Sequence, residues 1–539
     1  MKVQTIEYAQ TRCFSSTVTR LLSHDEQFKP FINRFPDLKS FEKIIDERNF
    51  KGNRETLVSV LENQYQSIPN QSALAKANIQ LLKAENTYTI TTGHQLNIFT
   101  GPLYFLFKIV SAINLAKELK QAFPDKNFVP VYWMATEDHD FEEINHTYVD
   151  GKKISWNTNA SGATGRLSTK SFIKTLNEYK GIIGLSANAE KLGKMVSQAY
   201  AEGKSLAEAT RFLANELFAD YGLVIIDADD HSLKQEFSEI ITQDIIEQNS
   251  FKNILQASEA LAKIDIHAQV NPREINFFYL MDDLRERIVF ENEKYQVLNT
   301  EISFTLAELK TEITNHPERF SPNVVMRPLY QEVILPNLAY IGGGGELAYW
   351  LQLKSNFDFY KIDFPLLVLR NSAMVADEKV IHKLDKLGLN LTDTFTSTEQ
   401  LKKNYVENHT THDLTISEEW KQLHTVFEVL KTRVAKIDPT LKPSTEAVEV
   451  RLKNAMESLE KKLIRADKRN YSEAMTDIEK VKNTLFPGGG LQERNENFAL
   501  FYVKYGDTFI KALIENFKPL DFKFSILFQT MVGKLNAES

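Results

Sequence analysis

A few short, fully apolar runs stand out along a chain that is otherwise dominated by helical periodicity, and these runs decide the fold. Tyr88 to Thr92 is β-branched and leads through Gly93-His94-Gln95 to Gly101-Pro102, which opens a helix. There Leu103, Leu106, Phe107, Val110 and Ile113 recur at three- and four-residue steps, so one face is buried, with Tyr104 and Lys108 a turn apart near the start. Phe128 to Ala135 is apolar without alternation, as in a strand covered on both faces, and Pro130 is tolerable only near its beginning. Leu223 to Ile226 is another fully apolar run, ending in Asp227-Ala228-Asp229-Asp230. Leu338 to Ile341, Gly342 to Gly345 and Glu346 to Leu353 repeat the order strand, glycine turn, helix, and Leu366 to Leu369 supply a last buried strand. Strands separated by helical segments predict an α/β fold: a Rossmann-like parallel-sheet core over 86–375, with helical insertions at about 151–220 and 264–320.

The flanks differ from this core. Residues 1–85 are polar and helix-prone, broken by Pro30, Pro36, Gly52 and Pro69, and carry no evident chemistry. Over 376–490 the pattern predicts a C-terminal α-helical coiled coil. Thr415 and Glu418 fit a capping box, and Trp420, Leu423, Phe427, Leu430 and Val434 form one stripe up to Pro439. Leu452, Ala455, Leu459, Leu463, Tyr471, Ala474, Ile478, Val481 and Leu485 continue it on a second, longer helix. Such a narrow stripe fits either an arm packed internally or a dimerisation surface. Residues 491–539 are expected to return to the core.

Composition narrows the function. The 539 residues are 42% apolar and 25% charged, which suits a globular chain, and a net charge of −8 has the wrong sign for neutralising a nucleic acid backbone. The single cysteine, Cys13, excludes an internal disulfide or a cysteine-based zinc site. No apolar stretch approaches the roughly 20 residues that span a bilayer, so a cytoplasmic location with no membrane partner is expected.

Ligands of open parallel sheets bind beyond the carboxyl ends of the strands. Those positions are polar here: His94, Gln95 and Asn97; then Glu137, Asp138, His139, Asp140, Glu142, Glu143, Asn145 and His146; then Asp227, Asp229 and Asp230. Crowded carboxylates beside an imidazole favour general-base work on an amine or hydroxyl. The competing interpretations are a solvated acidic loop and a metal site of His139, Asp140 and His146, whose spacing matches no compact ligand motif. The Gly342 to Gly345 turn could present backbone N–H groups to an anion, although Glu346 would repel phosphate and favours an amine or sugar hydroxyl. Arg327 and Arg370 each follow an apolar run and could grip a carboxylate.

Several of these segments are similar to those of the BshC family, the cysteine ligases assigned to bacillithiol biosynthesis. They are Thr92-Gly93-His94-Gln95, Phe99-Thr100-Gly101-Pro102-Leu103-Tyr104 with Lys108, and Val129 to Trp133 leading into Glu137 to His146. Ser321 to Pro328, Leu335 to Ile341, Gly344 to Trp350, Phe486-Pro487 and Leu491 to Arg494 also resemble that family. The resemblance implies a Rossmann core with connecting-peptide insertions and a coiled coil that supports a homodimer. It further implies amide formation between L-cysteine and the amine of glucosaminyl-malate. On that basis His139, helped by Asp138 or Asp140, is expected to accept the amine proton. Glu137, Asn145 and Glu346 are expected to orient sugar hydroxyls and the cysteine ammonium, and Lys108, Arg327 and Arg370 to pair with malate. His94, Gln95, Thr100, Gly101, Tyr104, Gly343, Gly345 and Tyr349 complete the expected substrate-binding set. No metal ligand is expected and no nucleotide-binding residue is identified. Because an unactivated amide does not form usefully in water, ATP with Mg is the candidate co-substrate. The alternatives are a non-catalytic coiled-coil scaffold and a metal-dependent hydrolase.

Overall fold

The computed structural model describes residues 1–410 and 415–529, with the side chains of 468 and 470 excepted. The chain divides into two compact units, one of Val3–Met374 with Gly490–Ser525 and one built on Val375–Gly489.

The first unit is organised by five parallel strands: β1 (Thr87–His94), β2 (Asn127–Met134), β3 (Val224–Asp227), β4 (Asn337–Gly342) and β5 (Leu366–Leu369). Their order is β5-β4-β1-β2-β3, with every neighbouring pair parallel. Connections run outward from β1 in one direction to β3 and then cross back to β4 and β5. The order therefore reverses between β1 and β4, which is where doubly wound sheets open a ligand crevice. All positions of β1, β4 and β5 are buried; β4 and β5 are mostly apolar, whereas β1 buries Thr87, Thr89, Thr91 and Thr92 as well. Pro130 is the fourth residue of β2, and pairing with β3 begins only at Val131, so the missing N–H falls where that side of the strand is open.

Helix α1 (Tyr104–Ala122) packs on β1 and β2 and is buried on nearly every side from Phe105 to Ala116. Its amphipathic stripe understated this burial, because Asn114 on the other side donates to Ile514 O and Phe517 O of the returning C-terminal segment. A short helix α2 (Gly344–Trp350) follows β4.

The insertions are less uniformly helical than the pattern predicts. The first opens with an antiparallel hairpin, His146–Val149 with Lys152–Ser155, before helices Ile173–Ile183, Ala187–Ala199 and Leu206–Phe218. The second contains a five-stranded sheet in which Phe277–Met281 lies between Leu284–Glu291 and Phe320–Pro322. Its long strand is mostly half-exposed and charged, so it shows no apolar run.

The second unit is helical. Helices Ser417–Ile437 and Lys442–Lys468 form a hairpin across Pro439–Leu441, and Leu387, Leu401 and Ile478 make a small core with neighbouring helices. The first helix starts one residue later than the Thr415/Glu418 pair predicts, with Ile416 as its cap. The expected single long second helix is interrupted at Arg469–Tyr471. Among the described residues no helix is long and apolar enough to cross a membrane.

Candidate functional site

At the carboxyl ends of β1, β2 and β4 lies a cavity of about 880 Å³, within the size range of small-molecule sites. Its floor is the strand-order reversal. Gly93 at the end of β1 leaves room for Tyr340 and Arg327, since a Cβ there would lie 3.3 Å from the Tyr340 hydroxyl and 3.9 Å from Arg327 Nη1. Lys108 reaches from α1 and donates to Gly93 O at 2.7 Å and to Glu346 at 2.5 Å.

Glu346 turns back on its own helix start. One carboxylate oxygen accepts the Gly343 N–H at 2.8 Å and the other accepts the Tyr340 hydroxyl at 2.7 Å. Burial works against its charge, but Lys108 and these donors hold it below the usual carboxylate range. The Gly343 N–H is therefore not free for an incoming anion, which corrects one expectation for the glycine turn. Burial lowers the Lys108 ammonium, with Glu346 opposing.

Two guanidinium groups complete this wall. Arg327 opens helix Arg327–Ile334; its Nη1 donates to Gln331 at 3.0 Å, and it lies over Trp133 and Tyr340. Arg370 follows β5, donates to Glu493 at 2.7 Å, and lies over the Tyr104 ring. Arg327 Nη2 and Arg370 Nε are buried and have no hydrogen-bond partner among the described residues. Both side chains line the cavity, so their charge favours an anionic ligand there.

The segment after β2 forms the opposite side. Glu137 is buried against Lys234 Nζ at 2.5 Å, and burial raises its carboxyl despite that cation. Asp138 accepts backbone N–H groups from His139 and Asp140 on one oxygen and the Gln95 amide on the other. His139 receives a hydrogen bond at Nδ1 from Arg285 Nη1, 2.6 Å away, and Arg285 stacks on Phe278. Burial, then the Arg285 charge, lower the His139 imidazole, with Asp138 and Asp140 opposing. His94 packs against Tyr104 and Phe105 as a buried wall residue, and burial pushes its imidazole well below the usual range, with Lys108 and Arg370 acting in the same direction.

The cavity thus gathers His94, Gln95, Tyr104, Lys108, Glu137, Asp138, His139, Arg327, Gly343, Gly345, Glu346, Tyr349 and Arg370 from the expected set. It does not gather the other four. Asp140 caps the short helix Phe141–Ile144 through Glu143 N, and Asn145 ends that helix with its amide oxygen 3.0 Å from His146 Nδ1. Thr100 and Gly101 are folded into a turn whose carbonyls accept the Asn497 amide, because Phe99, Thr100 and Gly101 all take positive φ. The metal grouping of His139, Asp140 and His146 does not form. Among the described residues such a grouping occurs at His424, Glu428 and Glu449 in the second unit, where Lys431 already bonds both glutamates.

Sequence reasoning missed Arg273, Arg285, Arg287 and Arg494 on the cavity lining. Arg285 and Arg287 share a face of strand Leu284–Glu291 by alternation, and Arg494 stands in the Leu491 to Arg494 motif. Six arginines and Lys108 face three carboxylates there, so an acidic chain carries a basic cavity.

Residues 1–371 match the family model for the N-terminal Rossmann-like domain of bacillithiol biosynthesis BshC, and residues 373–529 match that for its C-terminal coiled-coil domain. A Flavobacterium johnsoniae protein is 47% identical over 98% of this chain and 100% of its own length. One from Flavobacterium psychrophilum is 47% identical over 98% and 99%, and one from Bacillus cytotoxicus 30% identical over 88% and 90%. All three bear the name cysteine ligase BshC. With both domain models matched in sequence over nearly the whole chain, this protein belongs to the BshC family.

Proposed function

We propose that this chain joins L-cysteine in amide linkage to the amine of glucosaminyl-malate, the last step of bacillithiol biosynthesis. The observation that carries this proposal is the concentration of cationic side chains, Arg327, Arg370 and Lys108 among them, on a cavity at the strand-order reversal. Malate brings two carboxylates, which the cationic lining attracts, with Arg370 itself held in place by Glu493, Asn371 O and Ser372 Oγ. Lys108 adds a third cation beside the two arginines, while Glu346, Tyr349 and Gln95 offer acceptors and donors to sugar hydroxyls and the cysteine ammonium.

The reaction forms a C–N bond while the bond from the cysteine carbonyl to an activated oxygen breaks, and the amine gives up a proton. His139, with Asp138 beside it, handles hydrogen bonding at that centre, and the cavity holds nucleophile and acyl group together. A nucleoside triphosphate with Mg would supply the activation. The half-buried, single Cys13 suits a cytoplasmic enzyme, and the exposed Val426, Val429, Val448 and Val450 on the helical arm support pairing of two copies through it.

The test is metabolic. Cells lacking the gene are expected to lose bacillithiol and accumulate glucosaminyl-malate, with both restored by the intact gene and not by an Arg370→Met version. Unchanged levels of thiol and precursor would overturn the proposal.

A further inference from the structure

Arg285 does more than line the cavity. Its guanidinium is fixed by three contacts: Nε donates to Ser321 Oγ at 3.1 Å, Nη2 reaches Pro322 O at 3.4 Å, and the plane lies 4.0 Å over the Phe278 ring. The remaining nitrogen, Nη1, is 2.6 Å from His139 Nδ1, and Phe278 packs against the same imidazole. A guanidinium carries donors and no acceptor, so the imidazole nitrogen facing it must present a lone pair. A neutral imidazole has one donor and one acceptor; with Nδ1 as the acceptor, the proton resides on Nε2.

We propose that Arg285 is a positioning residue that locks His139 in the Nε2–H form, so that His139 meets the substrate as a hydrogen-bond donor and not as the acceptor of the amine proton. This rests on the placement of His139 at the reacting centre argued above, and it reverses the direction expected from the sequence. The charged groups facing the ring are Asp138 and Asp140 from its own segment and Arg285 and Glu286 from the insertion strand. Asp138 does not compete for Nδ1, since its nearer oxygen is 3.9 Å away and already accepts two backbone N–H groups. A second ring proton would set donor against donor at Arg285. As a donor, Nε2–H serves the carbonyl oxygen on which charge develops as the amide forms. Removal of the amine proton is left to a carboxylate, and Glu137 lines the same cavity.

The test reads the ring directly. In the full chain labelled with ¹⁵N-histidine, the His139 signals are those lost in His139→Gln. The expected spectrum at neutral pH shows an unprotonated Nδ1 and a protonated Nε2. In Arg285→Met the two neutral forms should interconvert and the ring should titrate at higher pH, with Arg285→Lys intermediate; kcat should fall in Arg285→Met by about tenfold with little change in KM. A proton on Nδ1, or an averaged pair of signals, in the unmodified chain overturns the proposal, and that result needs no variant to fold. Turnover separates the two claims: full activity in His139→Gln removes His139 from the reaction, whereas the wrong ring form overturns the role of Arg285 whatever the activity.

Discussion

Buried Lys108 and half-buried Glu346 form an ion pair at 2.5 Å that ties helix α1 to the glycine turn after β4. The two residues also bond Gly93 O and Gly343 N, so the ends of the two strands that flank the crevice are joined through four groups. Neutralising Glu346 leaves the charge of buried Lys108 without its carboxylate. Glu346→Gln should therefore lower stability by about 3 kcal/mol and abolish most activity, while Lys108→Met with Glu346→Gln should recover part of the stability and none of the activity. Urea unfolding of both variants checks this; equal stability in the single and double variants would contradict it.

Glu493 holds Arg370 from behind. Its two oxygens accept Arg370 Nη2 at 2.7 Å and Ala373 N at 2.9 Å, in a fully buried position. Arg370→Lys should raise KM for the dicarboxylate substrate by tenfold or more, because an ammonium cannot keep the bonds to Glu493, Asn371 O and Ser372 Oγ that fix this charge on the cavity wall. Glu493→Gln should raise the same KM less, acting only through Arg370. Steady-state kinetics with glucosaminyl-malate varied decides it; an unchanged KM in Arg370→Lys would remove this arginine from substrate binding.

The parallel core was legible because strands buried on both faces tend to be continuous apolar runs, and Val129, Ile225, Ile341 and Val368 sit where such runs place them, while Ile90 lies in a run marked by β-branched threonines. The cavity was half legible. Residues at strand ends, such as His139 and Glu346, are found by following the strands, whereas Arg285 comes from a half-exposed antiparallel strand whose register no local pattern reports. Thr100, Gly101 and Asn145 misled for the opposite reason: polar and glycine residues beside a site also build the turns and caps that hold it.

Thr100 supplies a direct check of that distinction. It is buried at φ +70°, a costly backbone state for a β-branched residue, and its turn is pinned by Asn497. Thr100→Gly should leave KM unchanged and alter stability by less than about 1 kcal/mol, since relief of strain offsets the added chain entropy. A tenfold rise in KM would return Thr100 to the substrate site.

Glu332 makes stability depend on pH. Burial pushes its carboxyl from 4.5 up to about 7, against the pull of Arg48 at 3.2 Å and of Asn337 and Gln331. The folded state therefore prefers the protonated acid. Its contribution is complete below pH 4.5 and is lost as pH rises through about 7. The loss amounts to roughly 3 kcal/mol. Glu332→Gln should flatten the fall in stability between pH 5 and 8 by that order; a slope identical to that of the unmodified chain would show that Glu332 ionises freely in the fold.

The most direct measurement is ligation by the purified full chain supplied with L-cysteine, glucosaminyl-malate and ATP with Mg, followed by mass spectrometry of the thiol formed. An amide of cysteine and the glucosamine nitrogen should appear with the unmodified chain and fall at least a hundredfold when Arg327 and Arg370 are both replaced by methionine in a protein that still folds. Absence of the amide from the unmodified chain while it binds glucosaminyl-malate, or undiminished product from the double variant, would contradict an anion-gripping ligase site at the reversal of the sheet.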